Sequence, residues 1–229
     1  MVEISGKYKI GTRRFGSVNW IGAWTLYKKE VLRFLIVWIQ TLFSPLITSL
    51  LFLSVLSLAI GNDRGNVLGV PFIVFLAPGL IAMQIIQQAF SHSSSSFMIG
   101  KIQGNIVDLV YAPLSAGEVT LAVTLASVTR SVLIAVISLL VFYLFIDLEI
   151  KNFITLVAFT LLSAFSLGAL GIIAGLWAEK FDHMATVTNF VIIPLSFLSG
   201  TFYSIERLPE ILQVISKANP FFYMIDGFR

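Results

Sequence analysis

The chain has no cysteine and only two histidines among its 229 residues. Disulfides and thiolate metal sites are therefore excluded, although the compartment is not fixed by that. His92 and His183 stand without the ligand neighbours a metal site needs, so no metal is expected, and each reads as a polar loop or interfacial residue. Charge is scarce as well. Asp, Glu, Lys and Arg make up 12% of the chain, against about 25% in a soluble domain, and a soluble fold of this length needs more polar surface. The Gly-x-x-x-x-Gly-Lys-Ser/Thr loop that cradles nucleotide phosphates is also missing; Gly6-Lys7 and Gly100-Lys101 lack the upstream glycine and the following hydroxyl. If ATP is used, another chain binds it. Asp147 and Glu149 share a short loop and read as a solvated pair rather than as a general acid and base. The N-terminus is not expected to be a signal peptide, since about thirty polar and mixed residues precede the first apolar run.

What is present is apolar. Hydrophobic residues make up 57% of the chain and come in long runs, the pattern a bilayer selects. After a basic tail (1–18), Trp20, Trp24, Tyr27 and Val31 share one helical face, with Lys28, Lys29 and Arg33 on the other side. This pattern predicts an interfacial helix over 19–33; the alternative is that these residues simply begin the first span. Membrane spans are predicted at 34–60, 70–90, 119–145, 153–177 and 185–201. Pro45 should kink the first, which packed neighbours can tolerate. Gln84, Gln87 and Gln88 end the second and, being costly in lipid, should face protein or a polar path. The run Ser91–Ser96 is too polar to face lipid but could extend the helix inside the protein. In 101–118, Ile102, Ile106, Leu109 and Val110 fall on one face of a short amphipathic helix closed by Ala112-Pro113. Gly168, Gly171 and Gly175 form a small-residue stripe that allows close helix packing. Residues 199–229 form no span.

Arg130 is the exception in spans otherwise nearly free of ionisable groups. It lies about eleven residues into the third apolar segment, roughly 16 Å along a helix. It must face the protein interior, water or a partner, or else the helix projects from the bilayer and the side chain snorkels. The lack of midplane carboxylates weakens the reading as a proton- or sodium-coupled carrier. No aromatic-basic interleaving of the kind that binds nucleic acid is present.

Taken in order, these features resemble the permease subunits of type-2 ABC exporters. "KEVLRF" (Lys29 to Phe34) precedes the first span. "GNIVDLVYAPLSAGEV" (Gly104 to Val119) is similar to the family's cytoplasmic coupling segment, with Glu118 opening the third span. Arg130 falls where the family often carries an arginine. The stretch from Ile192 to Arg229 resembles the end of span five, the external re-entrant helices, and the Asn-Pro…Asp-Gly-hydrophobic-Arg motif, carried here by Gly200, Pro209, Asn219, Pro220, Asp226 and Arg229. The closest likeness is to bacterial nodulation-factor, polysaccharide and drug export permeases.

The resemblance implies one all-α polytopic domain over 1–229, with external re-entrant helices at 202–229. It implies a homodimer in the bacterial inner membrane, among lipids, with a separate ABC ATPase subunit that binds ATP and Mg. In the coupling segment, Ile106, Leu109 and Val110 would supply buried contact to that subunit, with Asp108 and Glu118 orienting the segment by hydrogen bonds or ion pairs, while Arg130, Gln84, Gln87 and Gln88 would line the interior or the path. The family's usual sixth span would follow Arg229. A secondary transporter or channel, or a membrane scaffold, is the alternative; a neighbouring phosphate-loop ATPase would discriminate.

Charge gives the orientation. With the tail inside, nine basic residues lie in inside segments and four in outside ones, so the N-terminus is expected in the cytoplasm. A single cysteine at Ala116, introduced into a chain with no native thiol, should react with a membrane-impermeant maleimide only when the cytoplasmic face is opened; labelling from outside intact cells would reverse the topology.

Overall fold

The computed structural model describes residues 18–60, 66, 67, 69–146, 148 and 152–229. The basic tail, most of the 61–66 loop, Asp147, Glu149 and Lys151 lie outside the described residues. The described chain is almost wholly helical: α1 (Trp20–Ile36), α2 (Ser44–Ile60), α3 (Phe72–Ile102), α4 (Ile106–Tyr111), α5 (Ala116–Tyr143), α6 (Phe153–Trp177), α7 (Phe181–Val187), α8 (Ile193–Leu198), α9 (Glu210–Ala218) and α10 (Pro220–Phe228). A two-residue antiparallel ladder, Asn66–Val67 with Val70–Pro71, leads into α3. Five helical stretches are long and apolar enough to cross a membrane.

The centre of the molecule is α3, with α2, α5, α6 and α10 packed around it. Its inner face carries Phe75, Leu76, Ile81, Ile85, Ile86 and Phe90, all nearly or fully buried. Glycine explains how closely α6 approaches. A methyl group at Gly171 would sit 2.5 Å from the Phe90 carbonyl oxygen, and one at Gly175 would sit 2.7 Å from the Ser94 carbonyl oxygen. At Gly168 the obstruction would be the Ser127 side chain of α5. Without side chains there, the backbones come together and dispersion contacts replace lipid contacts.

Several boundaries differ from the expected ones, for physical reasons. α3 does not stop near Phe90: it runs through Ser91–Ser96 to Ile102, because His92, Ser93 and Ser94 are buried against neighbouring helices rather than exposed to lipid. α5 starts at Ala116, three residues earlier than Val119, because Ser115 and Glu118 cap it reciprocally. The fifth span starts at Phe181 rather than Ala185. In place of a single kinked helix over 34–60, α1 ends at Ile36 and a π-helical turn (Ile39–Phe43) precedes α2. Pro45, which has no N–H to donate, stands in the first turn of α2, just after that irregular turn. The fifth span repeats the device, with a π-helical turn (Thr188–Ile192) ahead of Pro194 at the start of α8.

Beyond α8 the chain makes a left-handed turn at Gly200 (φ 75°). Asn219 then holds α10 in place. It caps the helix by accepting from the Phe221 N–H (3.0 Å), and its amide donates to the Leu195 carbonyl (2.7 Å) and the Ser199 hydroxyl (3.0 Å). Pro220 occupies the first turn, where a missing N–H costs nothing.

Gly171→Val should destabilise the fold by about 3 kcal/mol or more, since the added atoms meet backbone that cannot rotate away. The check is the thermal unfolding midpoint of the purified protein beside Gly117→Val, where a Cβ meets nothing within 4 Å.

Candidate functional site

Two groups of residues have the character of working parts: a hub where α1, α4 and α5 meet, and a buried polar column running down α3.

The hub begins with Asn19. It caps α1 through the Gly22 N–H (2.9 Å), and its amide donates to the Pro113 carbonyl (3.2 Å). The Glu118 carboxylate completes the hub. One oxygen accepts the Asn19 N–H (2.5 Å) and the other the Ser115 N–H (2.6 Å). A single buried carboxylate thus ties the start of α1 to the start of α5. Glu118 is 6% exposed, so it orients the segment before α5 from within its own chain rather than forming part of its outer surface. The Ser-x-x-Glu spacing at 115–118 was the available signal, since it is a capping box.

The neighbouring α4 also differs from its expected face. Ile106 and Leu109 turn inward and pack against a cluster of Leu26, Phe97, Ala122, Val123 and Ile172. Ile102, Val107, Val110 and Tyr111 stay outside, with Val110 76% and Tyr111 85% exposed. The outward surface of α4 is therefore Val107, Asp108, Val110 and Tyr111. A six-residue helix flanked by apolar residues all round does not reveal from spacing which side its own chain covers.

In α1, Trp20, Trp24, Lys28 and Lys29 are exposed, as an interfacial helix requires. Two residues of the expected surface belong elsewhere. The Tyr27 hydroxyl lies 2.9 Å from the Thr129 hydroxyl of α5. Arg33 turns toward α3, pairs with Glu30 (2.9 Å) and donates to the His92 carbonyl (3.3 Å). The buried line of α1 is Leu26, Glu30 and Phe34, at i, i+4 and i+8.

The polar column follows α3. Gln84 donates to the Pro45 carbonyl (3.1 Å) and to the Ser49 hydroxyl of α2, and it accepts from the Ser138 hydroxyl of α5 (3.2 Å). One amide therefore pins α2 and α5 to α3. One turn along, Gln88 accepts from the Arg130 guanidinium of α5. Arg130 is 8% exposed and faces the bundle interior rather than the headgroups. Gln87 is half-buried. Next come His92, with its ring edge-on to Phe34, and Ser96, whose hydroxyl donates to Glu30 (2.8 Å). His92 is 1% exposed, not the polar loop or interfacial residue it was expected to be. His183 has its ring beside Trp177 and accepts from the Glu179 N–H (3.4 Å). Sequence reasoning missed Glu30 and His92; the sign was a carboxylate at the i+4 position of the apolar line through Leu26 and Phe34. Among the described residues no three metal-ligating side chains come together.

At the other end, Arg229 donates to the Gly200 and Thr201 carbonyls (2.9 Å each) and lies 3.8 Å over the Phe75 ring. α10 is thereby fastened to α3 and to the turn after α8. Pro209 is the N-cap of α9, and Asp226 is exposed on α10.

Glu118→Ala removes two charge-assisted hydrogen bonds and should cost about 2–4 kcal/mol. Faster hydrogen exchange confined to the first turns of α1 and α5 is the expected signature, and exchange equal to the unsubstituted protein would contradict the hub.

The ABC-2 type transporter family model matches residues 22–229. Among curated proteins, the inner membrane transport permease YadH of Escherichia coli (strain K12) is 32% identical over 210 residues, covering 92% of this chain and 82% of that protein. Nodulation protein J of Rhizobium leguminosarum bv. trifolii is 25% identical over 225 residues, covering 93% of this chain and 81% of that protein. Nodulation protein J of Neorhizobium galegae is 24% identical over 220 residues, with coverage of 93% and 81%. The helical bundle, its apolar spans and these matches agree: the chain belongs to the ABC-2 type transporter family and is the multi-pass inner-membrane permease subunit of an ABC transporter, which works with a separate ATP-binding subunit.

Proposed function

We propose that this permease exports a substrate of the lipid, glycan, oligosaccharide or drug class, with its N-terminus and α4 in the cytoplasm and two copies enclosing the path. ATP and Mg are bound by the partner subunit, and this chain contributes no hydrolytic site. The observation that carries the reading is the outward face of α4. Val107, Val110 and Tyr111 are large, apolar and exposed beside Asp108, on a helix whose other side is packed into the hub. A push on that face is passed through Leu109 and Ile106 to α1 and α5, and the Glu118 clamp makes those helices move together. Such a surface suits a protein partner better than lipid, because the Asp108 carboxylate would be costly to rest against hydrocarbon.

A second copy is what the family resemblance implies, and the outer spans leave room for it beside lipid. Only 22% of the apolar stretch in Ile39–Ala59 and 17% of that in Phe181–Leu198 is buried, against 67% for α3. These faces are where another protomer can pack. The basic asymmetry of the sequence supports the orientation.

Leu109 is half-buried in its own chain, so the substitutions that test docking are Val110→Asp and Tyr111→Ala. Each should weaken association with the co-expressed ATP-binding subunit by about 2 kcal/mol if it lies at the centre of the contact. Co-purification and substrate-stimulated ATP hydrolysis should fall while membrane insertion and unfolding midpoint stay unchanged. Recovery of the ATP-binding subunit at undiminished yield from both variants would refute the assignment.

A further inference from the structure

Three residues of the segment Lys29 to Phe34 reach across from α1 to α3. The backbone of α1 lies along α5 and barely approaches that of α3, so side chains bridge the difference. Ser96 donates to the Glu30 carboxylate (2.8 Å), Arg33 donates to the His92 carbonyl (3.3 Å), and the Phe34 ring stands edge-on to that of His92. The steps agree. Glu30 to Phe34 is four residues forward on α1, and Ser96 to His92 is four residues back on α3. One turn of each helix is thereby held in antiparallel register. Glu30 governs both polar links: it accepts from Ser96 and, paired with Arg33 at 2.9 Å, it aims that guanidinium at α3.

Toward the hub the same two helices part. A cavity of about 40 Å³ opens there, walled by Leu26 of α1, Phe97 and Gly100 of α3, and Ile106 and Leu109 of α4. Apolar contact is non-directional, so neighbours across such a gap can slide. The cavity can absorb an inward displacement of α4 unless α1 is tied to α3 at a fixed point. The Glu30 links supply that point, since Glu30 and Ser96 stand on the same cavity wall. Stability is a poor account of this carboxylate. Glu30 is 4% exposed, and an apolar side chain of similar volume in place of such a buried ion pair is often neutral or stabilising.

We propose that Glu30 is a positioning residue for transport: through Ser96 and Arg33 it ties the last two turns of α1 to α3, so that displacement received at α4 reaches the centre of the bundle instead of closing the cavity. The inference rests on the reading of α4 as the docking face and carries it one helix further.

The test is hydrogen exchange of the full chain bound to its ATP-binding subunit, before and after trapping with ATP and vanadate. In the unsubstituted complex, trapping should change exchange in α4 and in residues 91–102 of α3. Glu30→Met should abolish the change at 91–102, while the α4 response and the co-purified yield of the ATP-binding subunit persist. Its unfolding midpoint should be equal or higher, where a merely structural role would lower it. Ser96→Ala favours the helix and leaves the Glu30–Arg33 pair within α1 intact, so it should reduce the same change at an unchanged midpoint. That variant decides the matter should Glu30→Met fail to fold. Glu30→Gln keeps an oxygen acceptor for Ser96 and should retain part of the response. No response at 91–102 in the unsubstituted complex, or an undiminished one in the folded variants, would overturn the link while α4 still responds. A complex whose α4 does not respond to trapping overturns the docking reading as well.

Discussion

The approach of α6 to α3 is the constraint on which the rest of the bundle depends. In lipid, apolar side chains gain little by leaving the solvent, so helices hold together through close packing and hydrogen bonds. Gly171 and Gly175 let α6 lie against the backbone of α3, and Gly168 does the same toward α5. With that distance set, the column from Gln84 to Ser96 is enclosed, and its polar groups must find one another. Gln84 meets Pro45, Ser49 and Ser138, Gln88 meets Arg130, and Ser96 meets Glu30. Packing and polar pairing are consequences of one geometry.

The same enclosure explains why the two ends of α3 differ. At one end, Arg229 reaches the Gly200 and Thr201 carbonyls and the Phe75 ring, so α10 closes over the bundle with its cation's needs largely met by fixed dipoles. At the other, the carbonyl of Ala178 at the end of α6 accepts from Lys101 Nζ (2.9 Å), which satisfies a helix terminus. Between them, Arg130 Nε and both His92 ring nitrogens are buried without a hydrogen-bond partner among the described residues.

Much of this was legible in the sequence. Apolar runs marked five spans, the 153–177 segment coincides with α6, and the glycine stripe at 168, 171 and 175 marked a close contact. Other features were hidden for definite reasons. The boundary between α1 and α2 lies inside a predominantly apolar run, where Gln40 and Thr41 alone were too weak a break to mark a stop. Whether Ser91–Ser96 extends the second span was open in the sequence, because its partners, the α6 backbone and Glu30, are distant along the chain. Which side of α4 its own chain covers depends on Leu26 and Val123, which no local periodicity reveals. Glu118 was legible as the residue that opens α5 and orients the segment before it, whereas the Asn19 N–H it accepts lies 99 residues away.

The two π-helical turns have a mechanical consequence. Ile39–Phe43 and Thr188–Ile192 each precede a proline, and each lies in one of the two least buried spans. A π-turn holds a residue more than the α-helical ladder can pair, and a following proline leaves a carbonyl without its donor, so bending resistance is lowest at these points. α5 and α6 carry no proline, and α3, whose Pro78 lies within its first two turns, is packed against both along its length, so the three are stiffer by comparison. The outer spans are thus jointed rods beside a solid block, and displacement applied to the block is taken up as flexure at those two joints.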